Sequence, residues 1–295
     1  MISDERKARE LLADVCASVG LDSRDARLMR LGSNAVFRLV EPVVVRIGRS
    51  SADLPNARRT IAVARWLETE NYPAVHALHF DQPVIADGYP ATFWEAVSPV
   101  GDEWTSVAEI AELLLELHKL TAPADLQLPD VAPFAKAEER ISSNTWLSPA
   151  DRRIMTDKLA ELEYRYARLD WALSFGVIHG DAGAGNTLLD WHGRPVMIDL
   201  DNFAIGHREW DLILTAVYYD SFGWHTTREY EEFAQAYGFD IMKWSGYSTL
   251  KELSEFLMVT WVITKAGESQ QVADEASKRI ESMRTGASRK GWAPL

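Results

Sequence analysis

The sequence predicts an α+β chain in two lobes: a small antiparallel sheet with an interposed helix over residues 1–98, then a larger, mainly helical lobe over 99–295. Three observations carry this. Hydrophobic spacing switches from helical steps to β-branched runs and back within the first hundred residues. The stretch Ser98-Pro99-Val100-Gly101 breaks both periods. Helical stripes dominate the remainder of the chain. The 295 residues, 47% of them hydrophobic, are enough to build two cores, and no repeat or flexible tether separates them.

In chain order, Leu11, Leu12, Val15 and Val19 put one apolar face on a helix over 5–19, and Gly20 stops it. Ala35–Val40 and Val43–Ile47 read as a hairpin around Glu41-Pro42, preceded by a turn of small residues at Leu31-Gly32-Ser33-Asn34. Ile61, Ala64, Trp66 and Leu67 mark a helix over 56–70, with Pro73 beyond its end. Strands over 83–86 and 91–97 flank the turn Asp87-Gly88-Tyr89-Pro90. In the second lobe, one helix runs from Val107 to His118 and another from Met155 through Leu169 to Leu173. Residues 207–219, 227–237, 247–266 and 270–284 supply the remaining helices. His118 reads as a hydrogen-bonded structural residue, and Cys16 as a small apolar filler.

Charge excludes some functions. There are 31 basic against 44 acidic side chains, a formal net charge of −13, which argues against broad phosphate-backbone binding and so against a nucleic-acid partner. Residues 1–98 are near balance at −1, and residues 99–295 carry −12. The charged start Asp4-Glu5-Arg6-Lys7 is unlike a secretory signal, and no stretch approaches the roughly 20 apolar residues that cross a bilayer. One cysteine leaves no internal disulfide and no multi-cysteine zinc site. The expectation is a cytoplasmic protein, monomer or homodimer, without a membrane partner.

Chemistry concentrates between the helices. The apolar runs Gly176-Val177-Ile178 and Pro195-Val196-Met197-Ile198 end at His179 and Asp199, with Gly180-Asp181-Ala182-Gly183-Ala184-Gly185-Asn186 between them. Asp181, Asn186 and Asp199 can converge if this glycine-bearing loop curls back, and three hard oxygen donors suit Mg²⁺ shared with substrate phosphates. Two polar residues capping a turn is the plainer reading, but it leaves Asp199 unused.

His179-Gly180-Asp181-x-x-x-x-Asn186 followed by Ile198-Asp199-Leu200-Asp201 resembles the aminoglycoside phosphotransferase and choline kinase-like family. The resemblance spans about residues 28–270 and implies a protein-kinase-like two-lobed fold, with ATP or GTP and Mg²⁺ as cofactors. It implies Asp181 as the base facing an acceptor hydroxyl, Asn186 and Asp199 as metal ligands, and His179 as a brace for the loop. Asp201 touches metal or acceptor, or holds the loop through hydrogen bonds, the last being favoured. Asp211, in His207-Arg208-Glu209-Trp210-Asp211, would buttress the loop. In the first lobe Gly32, Ser33 and Asn34 would cover the triphosphate, and the Glu95 carbonyl and Val97 amide would pair with the adenine edge. The family usually has Lys where this chain has Arg46, and a helix Glu where it has Thr60, so the usual ion pair is absent and Arg46 is left as the phosphate ligand.

The expected acceptor is a small hydroxylated molecule, an antibiotic of aminoglycoside, nucleoside or macrolide type. Asp220, Trp224, Glu229, Glu232, Glu255 and Trp261 are its candidate contacts, combining carboxylates with aromatic faces that suit a cationic amino sugar. A solvated acidic face accounts for the carboxylates equally, and the tryptophans could stack a nucleobase or cover a macrolide. The rival reading is a nucleotide-binding pseudokinase acting as a regulatory module. A metal-dependent glycosyltransferase or phosphatase built on Asp199-Leu200-Asp201 leaves His179, Asp181 and Asn186 unexplained. No Walker loop, His-Glu-x-x-His, Gly-x-Ser-x-Gly or dinucleotide fingerprint occurs, and His76 and His79 lack cysteine partners.

Overall fold

The computed structural model describes residues 4–32, 34–97 and 105–294. Its elements begin with α1 (Glu5–Val19), β1 (Arg27–Leu31), β2 (Asn34–Arg38), β3 (Val43–Gly48), α2 (Leu54–Thr69), β4 (Val84–Ala86) and β5 (Tyr89–Glu95). Then come α3 (Val107–Leu117), α4 (Pro133–Ser142), α5 (Pro149–Tyr166), β6 (Phe175–Ile178), β7 (Thr187–Leu189) and β8 (Pro195–Met197). The last are β9 (Ala204–His207), α6 (Glu209–Val217), α7 (Thr227–Tyr237), α8 (Tyr247–Ile263) and α9 (Gln270–Thr285). Two compact units result: Met1–Ser106 with Lys119–Pro129 and Ala184–Phe203, and Val107–His118 with Asp130–Gly183 and Ala204–Leu295. The predicted break at Ser98-Pro99-Val100-Gly101 and the Ser33 position lie outside the described residues.

The first unit is built on an antiparallel sheet in the order β1-β2-β3-β5-β4. Strand alternation decides its faces. Val43, Val45 and Ile47 turn inward with Phe37 and Phe93, and α1 covers them with Leu11, Leu12, Val15 and Cys16. Each large side chain buried there contributes about 1.5–3 kcal/mol. The same alternation puts Arg46, opposite Val36 on β2 and Thr92 on β5, on the other face. Asp4 caps α1 by accepting the Lys7 N–H at 2.8 Å, and Gly20 ends it in the left-handed region at φ 76°.

Segment 184–203 belongs to this unit for a backbone reason. β7 and β8 form a hairpin, and Met197 extends it: its N–H donates to Pro73 O and its carbonyl accepts from Val75, each at 2.9 Å. α2 packs beside it, with Trp66 meeting Phe203 edge-on at 6.1 Å.

In the first unit the structure corrects two sequence-based expectations. Leu31 and Asn34 belong to strands rather than a turn, because β1 pairs with β2 as an edge strand that its composition does not announce. The second turn is only Asp87-Gly88, both at positive φ, and Tyr89 and Pro90 already pair in β5.

The second unit is mainly helical, with β6 and β9 forming a two-stranded sheet. α5 ends at Tyr166, short of the predicted Leu173, because the Ala172 and Leu173 N–H groups donate to the buried Glu209 carboxylate at 2.7 and 2.8 Å. α4 is an addition to the helices that apolar spacing predicts. α6 runs into a π-turn at Tyr218–Phe222, closed by Gly223 at φ 68°. No helix among the described residues is long and apolar enough to cross a membrane.

Candidate active site

In the second unit, β6 delivers His179-Gly180-Asp181 at its end, and α6 fixes that loop through one carboxylate. Asp211, 1% exposed, accepts the His179 N–H at 2.7 Å on Oδ2 and the Gly180 N–H at 2.8 Å on Oδ1. His118 Nε2 reaches the same Oδ2 at 3.1 Å, while its Nδ1 meets the Tyr237 hydroxyl at 2.7 Å. A consistent proton assignment has Nε2–H donating to Asp211 and the phenol donating to Nδ1. Three donors converging on one buried carboxylate fix its position and, through it, the loop. Both expectations, the structural His118 and the buttressing Asp211, meet in this network.

The loop is closed further by its own groups. The Asp181 N–H donates to His179 Nδ1 at 3.3 Å, Trp210 Nε1 donates to Gly180 O at 3.1 Å, and the Gly183 N–H donates to Asp181 O at 3.1 Å. Gly180 sits at φ 83°, a conformation that excludes most side chains. Tyr218, which sequence reasoning misses, packs over this loop: a Cβ on Gly183 would stand 3.7 Å from its hydroxyl. Burial, helped by the Asp181 charge, pushes the Tyr218 phenol up to about 12. Only the π-turn after α6 would have flagged it.

In the first unit, the β7–β8 register continues one step past the strands, with the Ile198 N–H donating to Asn186 O at 2.9 Å. Asp199 follows at once in the left-handed region, φ 57° and ψ 60°, which an aspartate tolerates better than most residues. Asn186 and Asp199 are thereby held at neighbouring positions. Arg46 Nη2 lies 2.6 Å from Asp201 Oδ2 and 3.3 Å from Asp199 Oδ1. Burial works against the guanidinium charge, but the Asp201 and Asp199 carboxylates outweigh it and hold its pKa above the ordinary value. Thr60 Oγ1 lies 3.1 Å from Asp201 Oδ1 and 2.9 Å from Asn56 O.

Among the described residues no three His, Cys, Asp or Glu side chains gather as a metal site. The residues nonetheless fit a hard cation. Asp199 carries the longer of the two Arg46 contacts, and the Asn186 backbone is one ladder step away through the Ile198 N–H. Mg²⁺ characteristically takes one or two protein oxygens of the carboxylate and amide kind and completes its shell with phosphate and water.

Of the other first-unit candidates, Asn34 and Glu95 lie on the same sheet. The Gly32 N–H donates to Asn34 O at 3.0 Å, and Asn34 opens β2 opposite Gly48. Glu95 ends β5, with its carboxylate 3.4 Å from His76. Between Glu95 and Val97, Ala96 donates to Pro42 O at 2.9 Å and accepts from Trp191 Nε1 at 3.1 Å, which fixes the strand exit.

The acceptor candidates have partners within the second unit. Asp220 accepts from Lys251 at 2.5 Å and Tyr247 at 2.9 Å, and Glu255 accepts from Ser221 at 2.6 Å and Arg289 at 3.1 Å. Glu229 closes the capping box of α7 with Thr226, and Glu232 pairs with Arg228 at 2.7 Å. Trp224 Nε1 donates to Trp292 O at 3.3 Å, and Lys265 lies 4.1 Å over the Trp261 ring.

A small antiparallel sheet bearing Arg46 and a mainly helical unit bearing the His179-Gly180-Asp181 loop define a kinase-like fold. A family model described as the phosphotransferase enzyme family matches residues 29–253, and the chain belongs to that family. Among solved structures it is similar to the amicoumacin kinase hAmiN in complex with AMP-PNP, Ca²⁺ and Ami (TM-score 0.73, 13% identity, 99% of this chain and 98% of that one). It is also similar to spectinomycin phosphotransferase APH(9)-Ia in complex with ADP and spectinomycin (0.64, 16%, 96% and 95%). Choline kinase LicA from Streptococcus pneumoniae gives 0.64 at 17% identity, covering 94% and 99%. No curated protein matches the sequence.

Proposed function

We propose that this phosphotransferase moves the γ-phosphoryl group of ATP or GTP to a hydroxyl of a small molecule, an antibiotic in the first instance. The observation that carries the proposal is the hold of buried Asp211 on the His179 and Gly180 amides, which presets the backbone of Asp181 before any substrate arrives. Asp181 orients the acceptor hydroxyl and takes its proton as the oxygen attacks phosphorus. The new O–P bond forms as the bond to the bridging β–γ oxygen breaks, and the nucleoside diphosphate departs with that electron pair.

Arg46, with Gly32, Ser33 and Asn34, is assigned to the phosphates. The Glu95 carbonyl and Val97 amide are assigned to the base edge. Asn186 and Asp199 would hold Mg²⁺, which when bound offsets negative charge on the phosphate oxygens. The ligands named for the similar structures, AMP-PNP with Ca²⁺ and ADP, support a nucleotide and a divalent ion. Asp220 and Glu255 enter the acceptor role with their charge already answered by Lys251 and Arg289, which leaves Trp224 and Trp261 as the better contacts.

The test is direct. The protein is incubated with Mg²⁺-ATP or Mg²⁺-GTP and a panel of aminoglycosides, macrolides, nucleoside antibiotics, choline and amino-alcohols, and products are read by mass spectrometry for one added phosphate. With the active acceptor, Asp181→Asn is expected to lower kcat by about 10²–10⁴. An unchanged rate removes Asp181 from the role of base. The engagement of Arg46 by Asp201 and Asp199 favours a second reading, a nucleotide-binding regulatory module; nucleotide binding with no product across the panel would select it.

A further inference from the structure

Arg46 brings a positive charge onto the half-buried face of β3, where a guanidinium without a fixed counter-charge is costly. The structure offers it two carboxylates from one turn, and they are not equivalent. Asp201 meets Arg46 at 2.6 Å, within the range of a charge-assisted hydrogen bond, and Asp199 stands at 3.3 Å. Asp201 is also held from its other oxygen. Thr60 Oγ1 stands 3.1 Å from Oδ1, and Thr60 is 2% exposed on the packed face of α2. That hydroxyl has one proton and two acceptors in reach, Asn56 O and Asp201, and the charged carboxylate is the stronger. The turn is packed against the same helix through Trp66 and Phe203.

We infer that Asp201, oriented by Thr60, is the positioning residue that holds Arg46 toward the nucleotide phosphates, leaving Asp199 to the cation. This rests on the proposed function, in which Arg46 meets phosphate. The two acids of Asp199-Leu200-Asp201 then divide two duties: the weakly engaged one can be given up to a metal, while the tightly engaged one keeps the guanidinium in place. Position 60 contributes from α2 through its hydroxyl, one residue removed from the guanidinium it serves.

The test compares two probes that differ only in phosphate. Mg²⁺·AMP-PNP and adenosine are titrated by calorimetry into the full-length wild-type, Asp201→Asn and Thr60→Val proteins. Asp201→Asn is expected to weaken AMP-PNP about ten-fold or more and Thr60→Val about three-fold, with adenosine affinity unchanged in both. A loss shared equally by both probes would mean a general structural role, and unchanged AMP-PNP affinity in either variant would mean that Arg46 needs no such support. Either result overturns the inference. If Asp201→Asn does not fold, the Thr60→Val comparison decides alone. A wild-type protein that binds adenosine but gains nothing from the phosphates refutes the assignment of Arg46 itself, an outcome distinct from failure of the variants.

Discussion

Burial decides what single residues can do in this chain. Cys16 lies at 0% exposure under the sheet, and burial, aided by the Glu41 and Asp22 charges, pushes its thiol up to about 11. The thiolate is the reactive form, so Cys16 should resist alkylation in the native protein at pH 8 and react fully in denaturant. A thiol-reagent time course checks this; native labelling at the denatured rate would show an open site. The filler role of Cys16 was legible from composition alone. The partners of Arg46 were not, since Asp199 and Asp201 lie 153 and 155 residues away in sequence, and only the fold of segment 184–203 onto α2 brings them near. What the sequence did expose was the anomaly, Arg46 and Thr60 where a lysine and an acid are usual. Its resolution required the positions of those side chains.

Elements were legible where a stripe ran for three or more turns and illegible where pairing made the structure. α1, α2, α3 and the helices from α6 onward follow their apolar spacing. β1, β7 and β9 are only three to five residues long, with too few β-branched positions to announce themselves, and exist because a neighbouring strand takes up their backbone groups. α5 shows the opposite error, since Leu169 and Leu173 keep the helical rhythm after Glu209 has claimed the backbone.

Two substitutions test these elements. Thr226 accepts the Glu229 N–H at 3.2 Å while Glu229 returns to the Thr226 N–H at 2.7 Å, so Thr226→Ala should cost about 1 kcal/mol in urea unfolding. At β9, a Cβ on Gly206 would stand 2.7 Å from Ile178 Cδ1 and 3.0 Å from Val131 Cγ1. Gly206→Ala should therefore strain the β6–β9 pair that carries the His179 loop. The expected cost is about 1–3 kcal/mol, with a fall in kcat beyond what the melting temperature explains. Equal stability and activity would mean that Ile178 simply rotates away.

For the molecule as a whole, the net charge of −13 and the distribution of buried partners set a stability profile with two edges. On the acid side, burial holds the His225 pKa below its usual 6.5, so the unfolded chain takes up that proton first and stability begins to decline just under that value. The steeper loss follows from carboxylates held below their ordinary range. Burial opposes the charge of Glu252 and Glu275, but Lys158 and Arg165 outweigh it for the first, and Arg279 with the Ala293 amide for the second. Asp190 is likewise held at about 2 against desolvation by the Arg194 and His192 amides and the Arg194 side chain. Depressed carboxyl values contribute stability that is complete above about pH 4–5 and disappears as pH falls through the folded-state values, so the loss continues down to about pH 2. On the alkaline side the sign reverses. Burial raises the Tyr166 and Tyr218 phenols to about 12, which keeps stability intact up to the unfolded value near 10 and removes it above that. The melting temperature at fixed ionic strength should thus be flat from about pH 7 to 10, slope gently to about pH 5, and then drop sharply. Glu252→Gln should flatten part of the acid drop while lowering the plateau, because Lys158 and Arg165 would then lose their shared partner. A profile unchanged between pH 5 and 3, in wild type and variant alike, would show that these ion pairs add nothing beyond what exposed carboxylates supply.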